Sequence, residues 1–239
     1  LSLYFKCTAI KEAENLFEKI NIRNVVSWTA LISGYVQSGL YDEALYGFRL
    51  MQSGGFSPNS VTFSCVLKAC SNKGALEIGE KIHCEIHNQG LLQGNVVLGT
   101  SLLDMYAKCH ALGKAQEVFN ELPTQNVIAW NALIAGYSNH GNDENAWHCF
   151  QQMRLHGLLP DIVTFSCVLK ACASAKASGK GQEIHAQIVR NVSLHKDVIV
   201  GNALLDMYAK CNALVKAQEV FEELPIRNLI SWNTLIAGY

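Results

Sequence analysis

The stretch LLDMYAKC at residues 102–109 occurs again, letter for letter, at residues 204–211. A second stretch, VTFSCVLKAC, is repeated at the same displacement of 102 positions, beginning at Val61 and again at Val163. Seven scarce residues follow this displacement as well: Trp28, Trp130 and Trp232, Pro58 and Pro160, and Pro123 and Pro225. Self-similarity at a fixed long period is typical of repeat proteins, so the chain is predicted to be a tandem array.

The long period divides into three shorter motifs of unequal length, because a short aliphatic start signature recurs within it. The six complete motifs occupy residues 25–59, 60–95, 96–126, 127–161, 162–197 and 198–228. Residues 1–24 match the end of a motif of the third kind, and residues 229–239 match the start of one of the first kind. We therefore expect residues 1–239 to form a single array.

The apolar spacing within each motif is helical. In the first complete motif, apolar residues fall at i, i+3, i+4 and i+7 from Trp28 to Tyr35. A break containing Gly39 follows, and a second amphipathic run begins with acidic residues such as Asp42, which suit the start of a helix. Each motif thus predicts a hairpin that must stack on its neighbours to bury its apolar face. The expected fold class is all-α, a right-handed superhelical solenoid of antiparallel helix-turn-helix repeats, with the last helix packed on the preceding motif.

The composition excludes several classes of protein. Apolar residues make up 49% of the chain and charged residues 16%, a balance that supports a packed core and excludes a disordered chain. No apolar run approaches the ~18 residues of a membrane span, so no membrane association is expected. No signal peptide opens the chain, and we expect any native targeting segment to lie outside it.

Nine cysteines and eight histidines raise the question of a metal or catalytic site. Seven of the cysteines follow the repeat: Cys7, Cys109 and Cys211, Cys65 and Cys167, and Cys70 and Cys172. None forms a CxxC pair, so buried free thiols are favoured over metal ligands. His83 and His185 are repeat-related and are expected to pack between hairpins. Because no phosphate-binding loop or nucleophile motif occurs, we expect no catalytic residue, no metal and no cofactor, and we do not expect the array to be an enzyme.

The motif sequences resemble pentatricopeptide repeats (PPR) of the plant PLS subclass along the whole chain. The stretches that carry the resemblance begin with VVSWTALISGY at Val25, VTFSCVLKAC at Val61 and LLDMYAKC at Leu102. The resemblance implies that the motifs at 25–59 and 127–161 are P-type, those at 60–95 and 162–197 are L-type, and those at 96–126 and 198–228 are S-type. It also implies a partial S-type motif at 1–24 and the start of a P-type motif at 229–239. The resemblance implies sequence-specific binding of single-stranded RNA, one nucleotide per motif. It also implies a mitochondrial or chloroplast location and the selection of a C-to-U editing site, with editing-factor proteins or a deaminase domain as candidate partners.

In this family the fifth and last residues of a motif recognise the base, and an aliphatic second residue packs against it. Carried onto this sequence, the base-recognising pairs are Thr29 with Asn59, Thr100 with Asn126, Asn131 with Asp161, and Asn202 with Asn228. The aliphatic second residues are Val26, Val97, Ile128 and Ile199. The L-type pairs, Ser64 with Asn95 and Ser166 with Asp197, are left unassigned because L-type motifs of the family read bases weakly.

The last residue of each pair indicates which base it prefers. An Asp carboxylate offers only acceptors and suits the ring N–H of U or G, whereas an Asn amide can donate to the bare ring nitrogen of A or C. A short Thr at the fifth position leaves room for a purine, and a longer Asn suits a pyrimidine. The predicted RNA, read from 5′ to 3′ in parallel with the chain, is A-n-A-U-n-C.

Three alternatives stay open. Asn and Asp at motif ends can be simple turn residues or helix caps. A protein-binding scaffold would explain the near-neutral charge, with 19 basic against 20 acidic residues. An editing enzyme would carry its deaminase after the array in a longer chain.

Lysines on the first helices bear on the choice between these alternatives. Lys68, Lys108, Lys170 and Lys210 are expected on the same face as the base-recognising pairs. Asp104 and Asp206 lie one turn before two of these lysines and weaken their positive field. Non-specific affinity for RNA is therefore expected to be weak, and binding is expected to depend on base contacts.

Overall fold

Helices form all the regular structure of the described chain, which comprises residues 1–7 and 9–239 of a computed structural model, without the side chains of Ser2, Lys6 and Val192. The partial motif expected at 1–24 includes Thr8 and to that extent lies outside the described residues. No strand occurs in the described part of the chain. The helices are α1 (Ser2–Lys6), α2 (Ile10–Glu18), α3 (Val25–Gln37), α4 (Tyr41–Ser53), α5 (Ser60–Lys73), α6 (Leu76–Asn88), α7 (Val96–Lys108), α8 (Leu112–Glu121), α9 (Val127–Asn139), α10 (Asp143–Leu155), α11 (Ile162–Ser174), α12 (Ser178–Val189), α13 (Val192–His195), α14 (Val198–Lys210), α15 (Leu214–Glu223) and α16 (Leu229–Gly238).

The helices pack in sequential pairs. The pairs are α3 with α4, α5 with α6, α7 with α8, α9 with α10, α11 with α12, and α14 with α15. The short helix α13 lies between α12 and α14 in the chain and packs against both. Each complete motif therefore contributes one helical hairpin.

The chain divides into two units, Leu1–Thr124 and Gln125–Tyr239. In the first unit, α3 packs against α5 and α5 against α7. In the second unit, α9 packs against α11, α11 against α14, and α14 against α16. These helices are the first helices of their motifs, and in each unit we call them the first-helix layer.

The core of each unit lies where a hairpin meets the first helix of the next motif. Phe63, Leu102 and Met105 are fully buried in the first unit, and Leu133 and Phe150 are fully buried in the second. Burying such a side chain stabilises a fold by roughly 1.5–3 kcal/mol. Because these contacts join successive hairpins, stacking rather than any single hairpin supplies the stability.

A residue in the left-handed region of backbone conformation occurs at the turn within every complete hairpin. These residues are Gly39, Gly74, His110, Gly141, Lys176 and Asn212. The left-handed conformation costs a residue with a side chain roughly 1–2 kcal/mol in free energy, whereas glycine adopts it without this cost. The turn is nevertheless kept at the three positions without glycine, so the packing of the two helices fixes its geometry.

The prediction of an all-α array of helical hairpins is confirmed. The last helix, α16, packs on α14 and α15. The rings of Phe221 and Trp232 meet edge to face there, with centroids 4.7 Å apart. On the outer side of α16, Ile236 is exposed. In the described residues, no helix has both the length and the apolar character needed to cross a bilayer.

Candidate functional site

The last residue of every complete motif is the N-cap of the next first helix. These residues are Asn59, Asn95, Asn126, Asp161, Asp197 and Asn228. In each case a side-chain oxygen accepts a backbone N–H from the first turn of the following helix, which typically stabilises a helix by about 1 kcal/mol. The interpretation of these residues as helix caps is therefore correct. A cap uses one side-chain oxygen, however, and a side-chain amide or carboxylate has a second polar atom for another contact.

Asn131 and Asp161 form the most extensively bonded of the expected base-recognising pairs. Asn131 Nδ2 donates to both carboxylate oxygens of Asp161, at 2.9 and 3.0 Å. The hydroxyl oxygen of Thr164 lies 2.5 Å from Asn131 Oδ1 and 2.9 Å from Asp161 Oδ1. Asn131 and Thr164 are buried, whereas Asp161 is exposed. The pair is thus anchored from inside the protein and presents its carboxylate at the surface.

The hydrogen bonds to Asp161 keep its carboxyl group ionised. Partial burial raises the pKa of Asp161, but hydrogen bonds from the backbone and hydroxyl of Thr164 and from the amide of Asn131 lower it. The lowering effects together outweigh burial, and the pKa of Asp161 lies below its ordinary value. At neutral pH the side chain is therefore a pure hydrogen-bond acceptor.

The same arrangement occurs around Asn202 and Asn228. The Ser231 hydroxyl donates to Asn202 Oδ1 at 2.7 Å and lies 3.0 Å from Asn228 Oδ1. The backbone N–H of Ser231 donates to the same Asn228 oxygen at 3.0 Å. Because the oxygen of Asn228 is engaged on the protein side, its amide nitrogen is the group that remains to donate to a ligand.

A third group of this kind joins Thr29 to Asn59. The hydroxyl oxygens of Thr29 and Thr62 are 2.7 Å apart. Thr62 also lies within hydrogen-bond distance of Asn59 Oδ1, at 3.0 Å. The Thr29 hydroxyl donates to the backbone carbonyl of Val25 at 2.7 Å, which fixes its rotamer. In all three groups a hydroxyl of the next helix connects the fifth and last residues of the motif.

The remaining expected pair, Thr100 and Asn126, is not brought together within either unit. Thr100 belongs to the first unit, and its hydroxyl donates to the carbonyl of Val97 at 2.9 Å. Asn126 belongs to the second unit and accepts the backbone N–H of Ala129 at 2.9 Å. Each of the two residues thus bonds to the backbone of the helix that it belongs to or caps.

The residues of the pairs expected in L-type motifs also bond locally. The Ser166 hydroxyl donates to the carbonyl of Ile162 at 2.7 Å. The Asp197 carboxylate accepts from the backbone N–H groups of Ile199 and Val200, at 2.9 and 3.0 Å. Ser166 thus turns back onto its own helix, and Asp197 acts as a helix cap.

The second residue of every first helix is an exposed aliphatic side chain. The expected base-packing residues have these exposed fractions: Val26 72%, Val97 69%, Ile128 67% and Ile199 61%. Val61, Val163 and Ile230 occupy the same position and are exposed as well. One exposed aliphatic residue on a protein surface needs no explanation. Its recurrence three residues before the fifth position, on the same face of each helix, places apolar surface beside the residues expected to recognise bases.

Two of the four expected lysines, Lys108 and Lys210, form ion pairs with acidic side chains. Lys108 Nζ lies 2.8 Å from Asp104, and Lys210 Nζ lies 2.8 Å from Asp206. Lys170 donates to the side-chain oxygen of Asn139 at 2.7 Å. The expected weakening of the positive field by Asp104 and Asp206 therefore takes the form of direct ion pairs.

The two repeat-related histidines pack between helices, as expected. His83 Nδ1 lies 2.9 Å from the Tyr106 hydroxyl, and His185 Nδ1 lies 2.9 Å from the Tyr208 hydroxyl. Burial lowers the pKa of both imidazoles, so the rings are neutral at neutral pH.

Most of the repeat-related cysteines are buried or half-buried, but Cys7 is exposed. Burial raises the pKa of Cys70 and of Cys172 to about 12, so these thiols are poor nucleophiles. Within the described part of the chain, no group of three or more His, Cys, Asp or Glu side chains could hold a metal ion.

Thr62, Thr164 and Ser231 were not predicted as site residues from the sequence. They are fully buried polar residues at the third position of the following helix, and each completes a capping box with the residue before that helix. The capping-box pattern, Asn or Asp followed three residues later by Thr or Ser, could have revealed them. At the other three junctions the third residue is Leu98, Ala129 or Val200, which has no hydroxyl.

Two-helix motifs are stacked in each unit, with polar pairs at junctions of the first-helix layer and an exposed aliphatic residue beside each pair. This arrangement defines a helical-repeat protein. The family described as "PPR repeat family" matches residues 23–72 and 125–174, and the "PPR repeat" matches residues 61–91, 100–127 and 202–229. These matches span most of the array, and the chain belongs to the pentatricopeptide repeat family.

Similar proteins occur in Arabidopsis thaliana. The chain is 35% identical over 239 residues to "Pentatricopeptide repeat-containing protein At4g18520, chloroplastic". It is 36% identical over 239 residues to "Putative pentatricopeptide repeat-containing protein At3g13770, mitochondrial". Each comparison covers 100% of this chain and 38% of the relative, so the chain spans well under half the length of these proteins.

Solved structures of the maize protein PPR10 share the fold. The crystal structure of PPR10 matches with a TM-score of 0.58 and 21% identity, over 95% of this chain and 38% of that one. PPR10 in complex with an 18-nt psaJ RNA element matches with a TM-score of 0.55 and 20% identity, over 95% of this chain and 39% of that one. The described residues therefore have the helical-repeat solenoid fold of PPR proteins.

Proposed function

We propose that this chain binds single-stranded RNA in a sequence-specific manner, with one nucleotide per motif. The observation that carries the proposal is the pair formed by Asn131 and Asp161. An ionised carboxylate lies at the surface and is held by a buried amide. Beside it, Ile128 exposes an aliphatic surface on which a base can pack. A helix cap alone would need neither the amide nor the exposed Ile128.

The polar groups of this pair suit uracil. Each carboxylate oxygen has two lone pairs, so Asp161 can accept the ring N–H of uracil while it keeps its bonds to Asn131 and Thr164. Asn131 Nδ2 has a second hydrogen that can donate to a carbonyl oxygen of the base. Cytosine carries a bare ring nitrogen where uracil carries N–H, and it would place an acceptor against the carboxylate.

The pairs that end in Asn present the opposite chemistry. In Asn228 and Asn59 the side-chain oxygen is engaged by the following helix, so the amide nitrogen is the donor for a base. A donor suits the ring nitrogen of adenine or cytosine. With the smaller Thr29 assigned to a purine and the larger Asn202 to a pyrimidine, these pairs select A and C. The proposed RNA is 5′-A-n-A-U-n-C-3′, in which the third letter rests on Thr100 and Asn126.

The array is proposed to be of the PLS subclass, with P-, L- and S-type motifs at the boundaries given by the sequence. The supporting observation is the third residue of the following helix. A hydroxyl occurs there after both P-type motifs, at Thr62 and Thr164, whereas Leu98 and Val200 follow the L-type motifs. The L-type motifs thus lack the group that joins the base-recognising pair in their P-type neighbours.

The cellular role is proposed from the relatives. Their names place one in chloroplasts and another in mitochondria, and maize PPR10 was solved with an RNA element. We infer an organellar RNA target and selection of a C-to-U editing site, with editing-factor proteins or a deaminase domain supplying the chemistry. The array itself acts as the binding component.

A protein-binding scaffold is the second candidate function. It is favoured by the net charge of −1 and by the ion pairs that neutralise Lys108 and Lys210. RNA binders normally carry a basic surface that contributes a large share of their affinity. A weak positive field is nevertheless compatible with an array that relies on base contacts.

A filter-binding titration separates the two functions. The chain is titrated against a short RNA containing A-n-A-U-n-C and against a scrambled RNA of the same composition. We expect the predicted RNA to bind about tenfold or more tightly than the scrambled one, because each base contact contributes to discrimination. Equal affinity for the two RNAs would reject base recognition, and absence of binding to either at low salt would favour the protein scaffold.

A further inference from the structure

Three buried hydroxyl groups lie at the junctions where base-recognising pairs are assembled. They belong to Thr62, Thr164 and Ser231, each at the third position of a first helix. We propose that these hydroxyls are positioning groups for base recognition, because each one fixes which polar atoms of the neighbouring pair face the RNA. This inference rests on the proposed function.

The argument begins with the proton of the Thr164 hydroxyl. This oxygen accepts the backbone N–H of Asp161 at 3.1 Å. A hydroxyl has a single proton to donate, and the nearest acceptor is Asn131 Oδ1, at 2.5 Å. Thr164 therefore directs its proton mainly at the side-chain oxygen of Asn131.

That hydrogen bond determines the orientation of the Asn131 amide. The oxygen end of the amide is held against Thr164, so the nitrogen end must point to Asp161, where it meets both carboxylate oxygens at 2.9 and 3.0 Å. The reverse orientation would set the amide oxygen of Asn131 against the Asp161 carboxylate, so that two acceptors would face each other. The amide nitrogen, a donor, is thus fixed next to the surface carboxylate.

The orientation has a direct consequence for base choice. A donor beside an acceptor matches the edge of uracil, which offers a carbonyl oxygen beside a ring N–H. If the Asn131 amide could rotate, its oxygen would also be presented, and cytosine could then be bound through its amino group. Loss of the hydroxyl is therefore expected to weaken discrimination between U and C.

The other two junctions obey the same logic. Ser231 holds Asn202 Oδ1 at 2.7 Å and lies 3.0 Å from Asn228 Oδ1. Thr62 lies 2.7 Å from the Thr29 hydroxyl and 3.0 Å from Asn59 Oδ1. In both groups the hydroxyl holds the fifth residue, while the backbone N–H of the same Ser or Thr holds the oxygen of the terminal Asn. The amide nitrogen of that Asn is left as the outward donor.

A purely structural role is the competing explanation, since the same three residues complete capping boxes. A capping group stabilises the helix whichever RNA is bound. Its loss would lower the affinity for all RNAs by the same factor. A positioning group would instead change the ratio of affinities for different bases at one letter only.

The test uses the chain with a threonine replaced by the isosteric valine. Wild type, Thr164→Val and Thr164→Ser are each titrated with four RNAs that differ only at the fourth letter of A-n-A-U-n-C. We expect Thr164→Val to lower the preference for U over C by about tenfold. Thr164→Ser keeps the hydroxyl, as Ser231 does naturally, and we expect it to retain the preference.

Thr62→Val is the matched control, because it removes the equivalent hydroxyl at the first letter. We expect it to reduce the preference for A at the first letter and to leave the preference for U at the fourth letter unchanged. An unchanged U-to-C ratio in Thr164→Val, with lower affinity for all four RNAs, would overturn the inference and leave a helix cap. If the wild-type chain shows no preference at the fourth letter, the proposed function itself is rejected, and the inference is rejected with it.

Discussion

The last residue of a motif can make two kinds of contact with one atom. Asp161 Oδ1 and Asn228 Oδ1 each cap the following helix and also accept the side-chain amide of Asn131 or Asn202. The sequence could predict the position of these residues, because the motif period repeats them. The capping-box pattern could have revealed Thr164 and Ser231 as partners of the cap. It could not reveal their contacts with Asn131 and Asn202, because those residues are distant in sequence.

The aliphatic second residues provide a prediction at this scale. Val26 lies in α3 at the second position, whereas Val215 is an equally exposed valine in α15, the second helix of its hairpin. We expect Val26→Ala to weaken binding of the predicted RNA by roughly 1–1.6 kcal/mol, because the substitution removes two carbon atoms and each buried CH₂ contributes ~0.8 kcal/mol. Its free energy of unfolding should change by less than about 0.5 kcal/mol, as is usual for exposed sites.

Val215→Ala is the control, measured by the same RNA titration and by urea denaturation. It should leave both RNA affinity and stability close to wild type, because no base is expected beside α15. Equal affinities for Val26→Ala and Val215→Ala would show that the second position does not contact the base.

At the scale of the helix, the apolar period and the cap residues were sufficient to predict the hairpins. First helices begin at Val25 and Val127, each directly after an Asn cap. The short helix α13 could not be predicted, since four residues are too few to show a helical period. The close approach of helices at certain glycines was also missed, because it depends on the neighbouring side chain and not on local sequence.

Two glycines in α12 give a prediction for the packing of helices. A Cβ atom built on Gly181 would lie 2.3 Å from the sulfur of Met207 in α14, which is fully buried, whereas Gly179 faces open space. We expect Gly181→Ala to destabilise the protein by roughly 1–3 kcal/mol through overpacking. Gly179→Ala should stabilise it by up to about 1 kcal/mol, because alanine favours the helix.

Chemical denaturation of the two variants and the wild type measures the difference. The two substitutions are identical and lie two residues apart in one helix, so each serves as the control for the other. Stabilisation by Gly181→Ala of the same size as by Gly179→Ala would contradict the close packing of α12 on α14.

At the scale of the whole molecule, the charge balance constrains the proposed RNA binding. The net charge is −1, and Lys108 and Lys210 are held in ion pairs, so we expect only a weak general attraction to phosphates. Under the proposed function, selectivity comes from the sum of individual base contacts along the motifs. The composition predicted the weak field, but only the structure shows that Asp104 and Asp206 act as direct ion-pair partners of the lysines.

The central claim is that the last residue of a motif recognises its base, and Asp161→Asn tests it most directly. Asn keeps the cap on Thr164, since a side-chain amide oxygen can accept the same backbone N–H. The outward acceptor becomes a donor, as in Asn228. Asp197→Asn makes the same change at the cap of α14, one motif further along the chain, and serves as the matched control.

The measurement is the ratio of dissociation constants for two RNAs that carry U or C at the fourth letter of A-n-A-U-n-C. For Asp161→Asn we expect the ratio to move toward C by the equivalent of about 1–3 kcal/mol, the range of a base-edge contact. For Asp197→Asn the ratio at the fourth letter should equal that of the wild type. If Asp161→Asn binds the U and C RNAs in the same ratio as the wild type, Asp161 is a helix cap alone, and the protein-binding scaffold becomes the better account.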